Sequence, residues 1–143
     1  MFALIAALAA AVSPIMVEPA ARPAAAVVDR FHAALGRGDG KGALQLMAQD
    51  ALVYESGHVE KDKAEYEAAH LGADMEFSQA VKSLVTRRSG RASGNLAWIA
   101  SEGQTSGSFK GKPVARATTE TIVLRRSSGQ WRIVHIHWSS AAR

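Results

Sequence analysis

The second half of the chain constrains the fold most. Residues 80–88, 96–106 and 114–126 read as three long strands, and a fourth strand-like run, Trp131-Arg132-Ile133-Val134-His135-Ile136-His137-Trp138-Ser139, follows at once. The stretches between them are rich in Gly and Ser: Ser89-Gly90 to Gly94, Gly107 to Pro113, and Ser127-Ser128-Gly129. Turns of that kind predict successive strands that pair as antiparallel hairpins. The first half is helical instead. Val27, Val28, Phe31, Ala34 and Leu35 recur at helical spacing until Gly36 and Gly38 end the run. Asp39 can cap a short second helix that carries Ala43, Leu44 and Met47 inward. Residues 51–54 read as a short strand closing at Glu55, Gly57 marks a turn, residues 62–71 predict a helix, and residues 73–77 a weaker helical turn. Helices first and a curling antiparallel meander afterwards predict an α+β domain with helices over one face of the sheet, the face where a pocket forms.

A chain of 143 residues suits one well-filled domain. Its 17 Lys and Arg against 13 Asp and Glu give a basic pI of about 9.8. The basic residues are scattered through the hairpins, without a cluster interleaved with aromatics, so no nucleic-acid partner is expected. The lack of cysteine excludes disulfides, thiolate zinc sites and a cysteine nucleophile. No phosphate loop, nucleophile elbow or dinucleotide fingerprint is present. At the N-terminus, residues 2–12 are an unbroken apolar run followed by Pro14, Pro19 and Pro23. The run has the length of a signal-peptide core, is too short to span a membrane, and is followed by Ala24 to Ala26 as small residues for cleavage. It departs from the signal pattern in having no Lys or Arg before it. The expected division is residues 1–26 as signal peptide and linker and 27–140 as a single domain, exported to the periplasm or beyond, with no membrane span in the mature chain.

His135 and His137 lie two residues apart on the last strand, so strand alternation puts them on one face with Ile133 and Ser139, opposite Val134, Ile136 and Trp138. Their cross-strand neighbours depend on the turn at Ser127-Ser128-Gly129. A three-residue loop sets Thr121 and Thr119 opposite the two histidines, and a two-residue loop sets Ile122 and Glu120 there. The glycine after two serines favours the threonines. Tyr66, His70 and Asp74 follow one another at four-residue intervals and share a helix face if the helix continues through Gly72, where Asp74 can hold His70 in one tautomer. His58 follows Glu55 closely, whereas His32 faces away from the apolar stripe of the first helix and reads as solvated. A His-x-His strand pair joined by His58, His70 or Glu55 would supply three or four ligands for zinc, copper or nickel.

Asp50-Ala51-Leu52-Val53-Tyr54-Glu55 after two helices, together with the closing run from Gly129 to Ser139, makes residues 26–140 resemble the SnoaL-like branch of the nuclear transport factor 2-like superfamily. That family has a cone-shaped α+β fold, which also houses ketosteroid isomerase and limonene epoxide hydrolase. The resemblance implies a curved antiparallel sheet covered on its concave face by N-terminal helices, and a pocket for a small organic molecule. It also implies a carboxylate base at the end of the first strand, the position of Glu55. The isomerases add a phenol on the first helix, where this chain has Phe31 and no tyrosine. The resulting expectation is a small-molecule-binding protein acting as a cofactor-free isomerase, lyase or hydrolase. Glu55 would be the base and His137 the acid or orienting partner, with Tyr54, His58, Tyr66, His70 and His135 lining the site. The alternatives are an exported module binding a divalent transition metal through His58, His70, His135 and His137, or a non-catalytic ligand-binding or dimerisation module. A homodimer through the exposed sheet face, burying Trp98 and Trp138, is expected.

Overall fold

The apolar stripe of the first helix anchors the whole domain. The computed structural model describes residues 16–143, and in it helix α1 (Arg22–Arg37) buries Val27, Val28, Phe31, Ala34 and Leu35 almost completely against the sheet. The helix ends at Gly38, whose φ of 70° is the left-handed conformation favoured at a helix C-terminus. Asp39 then caps α2 (Gly40–Gln45), its side chain accepting from the Gly42 amide at 2.8 Å. Strand β2 (Met47–Glu55), the short β3 (His58–Glu60), and helices α3 (Lys63–Ala69) and α4 (Leu71–Ala80) follow. Four long strands complete the chain: β4 (Val81–Ser93), β5 (Leu96–Phe109), β6 (Lys112–Ser127) and β7 (Gln130–Ala142).

The expected α+β architecture is present. The sheet order is β1-β4-β5-β6-β7-β2-β3, where β1 is Met16–Val17, and β4 to β7 pair as the expected antiparallel hairpins. The sheet is mixed, because β2 runs parallel to β7 and β1 parallel to β4. No hairpin joins β2 to β7, so nothing local fixes their relative direction. Ile99, Ile122, Leu124, Ile133 and Ile136 are fully buried beneath α1, and Tyr66 and Leu71 close the core from α3 and α4.

Three sequence expectations change here. The first concerns turns: Gly90 and Gly107 lie inside strands. A Cβ at Gly90 would meet the Ile99 Cδ1 at 2.6 Å, so this glycine admits a close approach and does not mark a bend. The second is register. Ser128 and Gly129 both have positive φ, 50° and 76°, forming a two-residue turn with Ser127 opposite Gln130. A bulge then inserts Val134, so that Val123 faces His135 and Thr121 faces His137, matching neither expected register. The extra residue also resets the alternation: Ile133 and Ile136 both point into the core, which turns His135 and His137 to the opposite face from Ile133.

The third is the N-terminal boundary. Residues 16 and 17 pair with Ser89 and Gly90, and Ala21 and Ala24 are fully buried, so the folded domain begins before Val27 and a cut after Ala26 would fall within α1. The apolar run at residues 2–12 lies outside the described residues. Among the described residues no helix is long and apolar enough to cross a membrane.

Candidate active site

One register line crosses the sheet and includes the buried polar residues Arg88 and Ser101. Arg88 on β4 pairs with Ser101, Ser101 with Glu120, Glu120 with Trp138, and Trp138 with Glu55. Directly opposed residues in neighbouring strands point to the same face, here the concave one under the helices. Helix α1 closes one end of the row. Asp29 accepts from Arg88 Nη1 at 2.6 Å, Arg88 Nε donates to Ser101 Oγ at 3.0 Å, and His32 Nε2 lies 2.7 Å from Glu120 Oε2. Trp138 donates its indole N–H to the same Glu120 oxygen at 2.7 Å while its ring stacks on Phe31. Burial works against charge on His32, but the hydrogen bond and charge of Glu120 outweigh it and hold the imidazole pKa above its ordinary value. Burial likewise pushes Glu120 up, and the His32 bond and charge, the indole and Arg88 reverse it to a net lowering. His32 is exposed, as its helical phase suggests, but its Nε2 is a partner of Glu120.

The other end of the row gathers around His70. The chain breaks between α3 and α4 at His70 itself, with φ −128° and ψ −38°, and Gly72 lies within α4. This kink aims the imidazole at β2 and β3. Its Nε2 lies 2.9 Å from Glu55 Oε2 and 3.7 Å from Asp74 Oδ1, and its Nδ1 lies 2.8 Å from Glu60 Oε1. Tyr66, completely buried, donates its hydroxyl to Asp74 Oδ2 at 2.7 Å. Three carboxylates thus surround one imidazole, and no Lys or Arg pairs with them among the described residues. Burial is the main cause that lifts Asp74 to about 6; the Tyr66 bond and His70 charge pull it down, and Glu55 and Glu60 add to the rise. For His70, burial pulls downward, but the Glu60 bond and the charges of Asp74, Glu60 and Glu55 prevail and raise it. Burial and the adjacent Asp74 drive the Tyr66 phenol far upward, so it stays a hydrogen-bond donor.

Of the residues singled out in the sequence, Glu55, Tyr66 and His70 come together here with Asp74. His58 is opposite Glu55 but exposed, and it makes none of the cluster's contacts. Tyr54, His135 and His137 lie on the outer face, with the Tyr54 ring edge-on to both imidazoles at 5.0 and 6.1 Å. The expected pairing of Glu55 with His137 is not formed, and neither is a metal site joining His58 and His70 to His135 and His137, because the Val134 bulge sends the two strand histidines to the far side of the sheet. Trp138 is also corrected: it lies on the inner face, not on the outer one. Glu60 was missed, although a two-residue turn at Ser56-Gly57 would have set it opposite Val53 on the inner face.

Space and acid–base chemistry are separated along the strands. An open groove of about 930 Å³ lies where β2 begins and β6 turns into β7, walled by Arg30, Lys63, Trp131 and Arg132, with no carboxylate or imidazole in its lining. The imidazole and carboxylate groups lie instead in the polar row, where the side chains of Glu55 and His70 are 35% and 20% exposed.

Residues 24–143 match the family model of the SnoaL-like domain. A ketosteroid isomerase-like protein from Shewanella frigidimarina NCIMB 400 superposes with a TM-score of 0.79 at 35% identity, over 82% of this chain and 94% of that one. A nuclear transport factor 2-like protein of unknown function from Pseudomonas putida KT2440 gives 0.71 at 22% identity, over 84% and 85%. A Xanthomonas campestris protein similar to the calcium/calmodulin-dependent protein kinase II association domain gives 0.74 at 23% identity, over 93% and 98%. The last two likenesses speak for the fold alone. No curated protein matches this chain.

Proposed function

This chain belongs to the SnoaL-like domain family, and from that premise we propose that it binds a small organic molecule on its concave face and transfers a proton there without a cofactor. The observation that carries this reading is the imidazole of His70 gripped at both nitrogens by carboxylates, one of which, Glu55, reaches solvent. Glu55 takes the proton from a carbon beside a carbonyl, or from water. His70, its charged form favoured by Glu60, Asp74 and Glu55, orients Glu55 through Nε2 and stabilises the negative charge that develops, the orienting role first expected of His137. The protonated Glu55 returns its proton to the substrate. Tyr66 touches no substrate and acts by holding Asp74. Isomerase, lyase and hydrolase outcomes share this first step and differ in what the substrate does next.

The test is deuterium exchange into a panel of carbonyl carbon acids followed by NMR. Glu55→Gln should slow exchange by about 10²–10⁴-fold, the usual contribution of a positioned base, while His137→Ala leaves it unchanged. Equal exchange in wild type and Glu55→Gln across the panel would sink the reading.

Two further parts of this proposal concern the outer face and the N-terminus. Trp98, Tyr54 and Val59 are 39%, 38% and 50% exposed on that face, which supports a homodimer formed through it; sedimentation equilibrium giving a monomer at tens of micromolar would overturn this. The apolar run at residues 2–12 supports export, with a mature N-terminus at or before Met16, because β1 and the buried Ala21 and Ala24 belong to the folded domain. N-terminal sequencing of the exported protein that starts at Val27 would contradict it.

A further inference from the structure

We propose that Glu55, His70 and Asp74 form a binding site for one divalent transition cation. The inference rests on the placement of Glu55 and His70 used above, but not on catalysis. One ligand atom from each residue lies within 4.8 Å of the other two. His70 Nε2 is 2.9 Å from Glu55 Oε2 and 3.7 Å from Asp74 Oδ1. Two ligands held about 2.1 Å from a tetrahedral zinc ion are roughly 3.4 Å apart, so these separations bracket the required value and small side-chain rotations complete the geometry.

The surrounding contacts are those that metal ligands need. His70 uses its far nitrogen on Glu60 at 2.8 Å, so a cation that displaces the Nε2 proton finds Nδ1 already engaged and the Nε2 lone pair facing the common point. Asp74 uses its far oxygen on the buried Tyr66 hydroxyl at 2.7 Å, leaving Oδ1 toward the same point. A second, independent sign is Glu60: its side chain is 8% exposed, it is aimed at the cluster through Oε1, and its Oε2 is buried without a hydrogen-bond partner. A buried carboxylate oxygen that no donor reaches is costly unless a positive charge is near. The local charge requires the same compensation, since three carboxylates face at most one positive imidazole. One imidazole among carboxylates selects zinc, nickel or cobalt over magnesium and calcium, and three protein ligands leave a position open to water. An occupied site ties up Glu55 and His70, so the cation inhibits proton transfer.

Isothermal titration of zinc chloride into the full chain, purified without an affinity tag and stripped with a chelator, tests this directly. Wild type should bind one equivalent, and magnesium should not compete. His70→Gln and Asp74→Asn should abolish saturable binding, Glu60→Gln should weaken it by about 10–100-fold, and the double variant His135→Ala/His137→Ala should bind as wild type does. Glu55→Gln, at a half-exposed position, guards against loss by misfolding and should also weaken binding. Absence of saturable binding in wild type, or loss only in the His135/His137 variant, overturns the proposal. Deuterium exchange measured in excess chelator separates the two readings. Exchange without zinc binding removes the cation site alone, and zinc binding without exchange in any substrate removes proton transfer alone.

Discussion

The two faces of β7 use similar side chains to different ends. On the inner face, Trp138 stacks on Phe31 and bonds Glu120, within a row in which every ionisable group has a named partner. On the outer face, His135 and His137 lie beside each other and in T-shaped contact with the Tyr54 ring, and His135 Nδ1 is buried with no hydrogen-bond partner. Two histidines two residues apart share one strand face, yet the convergent site forms around His70. Convergence needs groups from different elements aimed at one point, and neighbours on one strand face do not provide that.

Four changes test this contrast. The largest effect is expected from Trp138→Ala, which removes the Phe31 stack and the Glu120 donor together and should cost about 3–5 kcal/mol in urea unfolding; a cost below 1 kcal/mol would mean that the inner face does not depend on it. Next is the pH dependence of Asp74. Its pKa, raised from 3.8 to about 6, means that the native state binds more protons than the unfolded chain between those values. Its contribution is therefore most favourable below pH 4 and is lost as pH rises through 6; His70, also raised, acts in the same direction at higher pH. The wild-type stability minus that of Asp74→Asn should fall by about 3 kcal/mol from pH 4 to 7. A flat difference across that range would mean that Asp74 titrates normally. Tyr66→Phe should cost about 1.5–3 kcal/mol, the usual value of a hydrogen bond to a charged group, and chemical denaturation at pH 7 measures it. The smallest effect is that of His137→Ala, an exposed outer-face residue, at no more than about 0.5 kcal/mol; a loss comparable to that of Trp138→Ala would erase the distinction between the faces.

Much of the fold was legible because its signals are local. The helical spacing of Val28, Phe31 and Leu35, the Asp39 cap and the runs of strand residues each depend on a few neighbouring positions. Part of the site was legible for the same reason: Tyr66, His70 and Asp74 recur every four residues, and all three do converge. The His32 bond to Glu120 and the Glu60 bond to His70 were not, because they join elements far apart in sequence or set by an unseen turn. The row from Arg88 to Glu55 depends on four successive registers, and two shifts of one residue, after Val85 in β4 and at Val134 in β7, are invisible to a strict alternation of two.

The amino-acid sequence by itself determined an α+β domain of the SnoaL-like kind, a carboxylate at the end of β2, and a His and an Asp one helical turn apart. Only the tertiary structure decided which histidine meets that carboxylate. A single bulge residue turns a strand face over, and the kink at His70, held by a buried tyrosine and a buried glutamate, aims one imidazole across the chain; both are consequences of packing that no local pattern encodes.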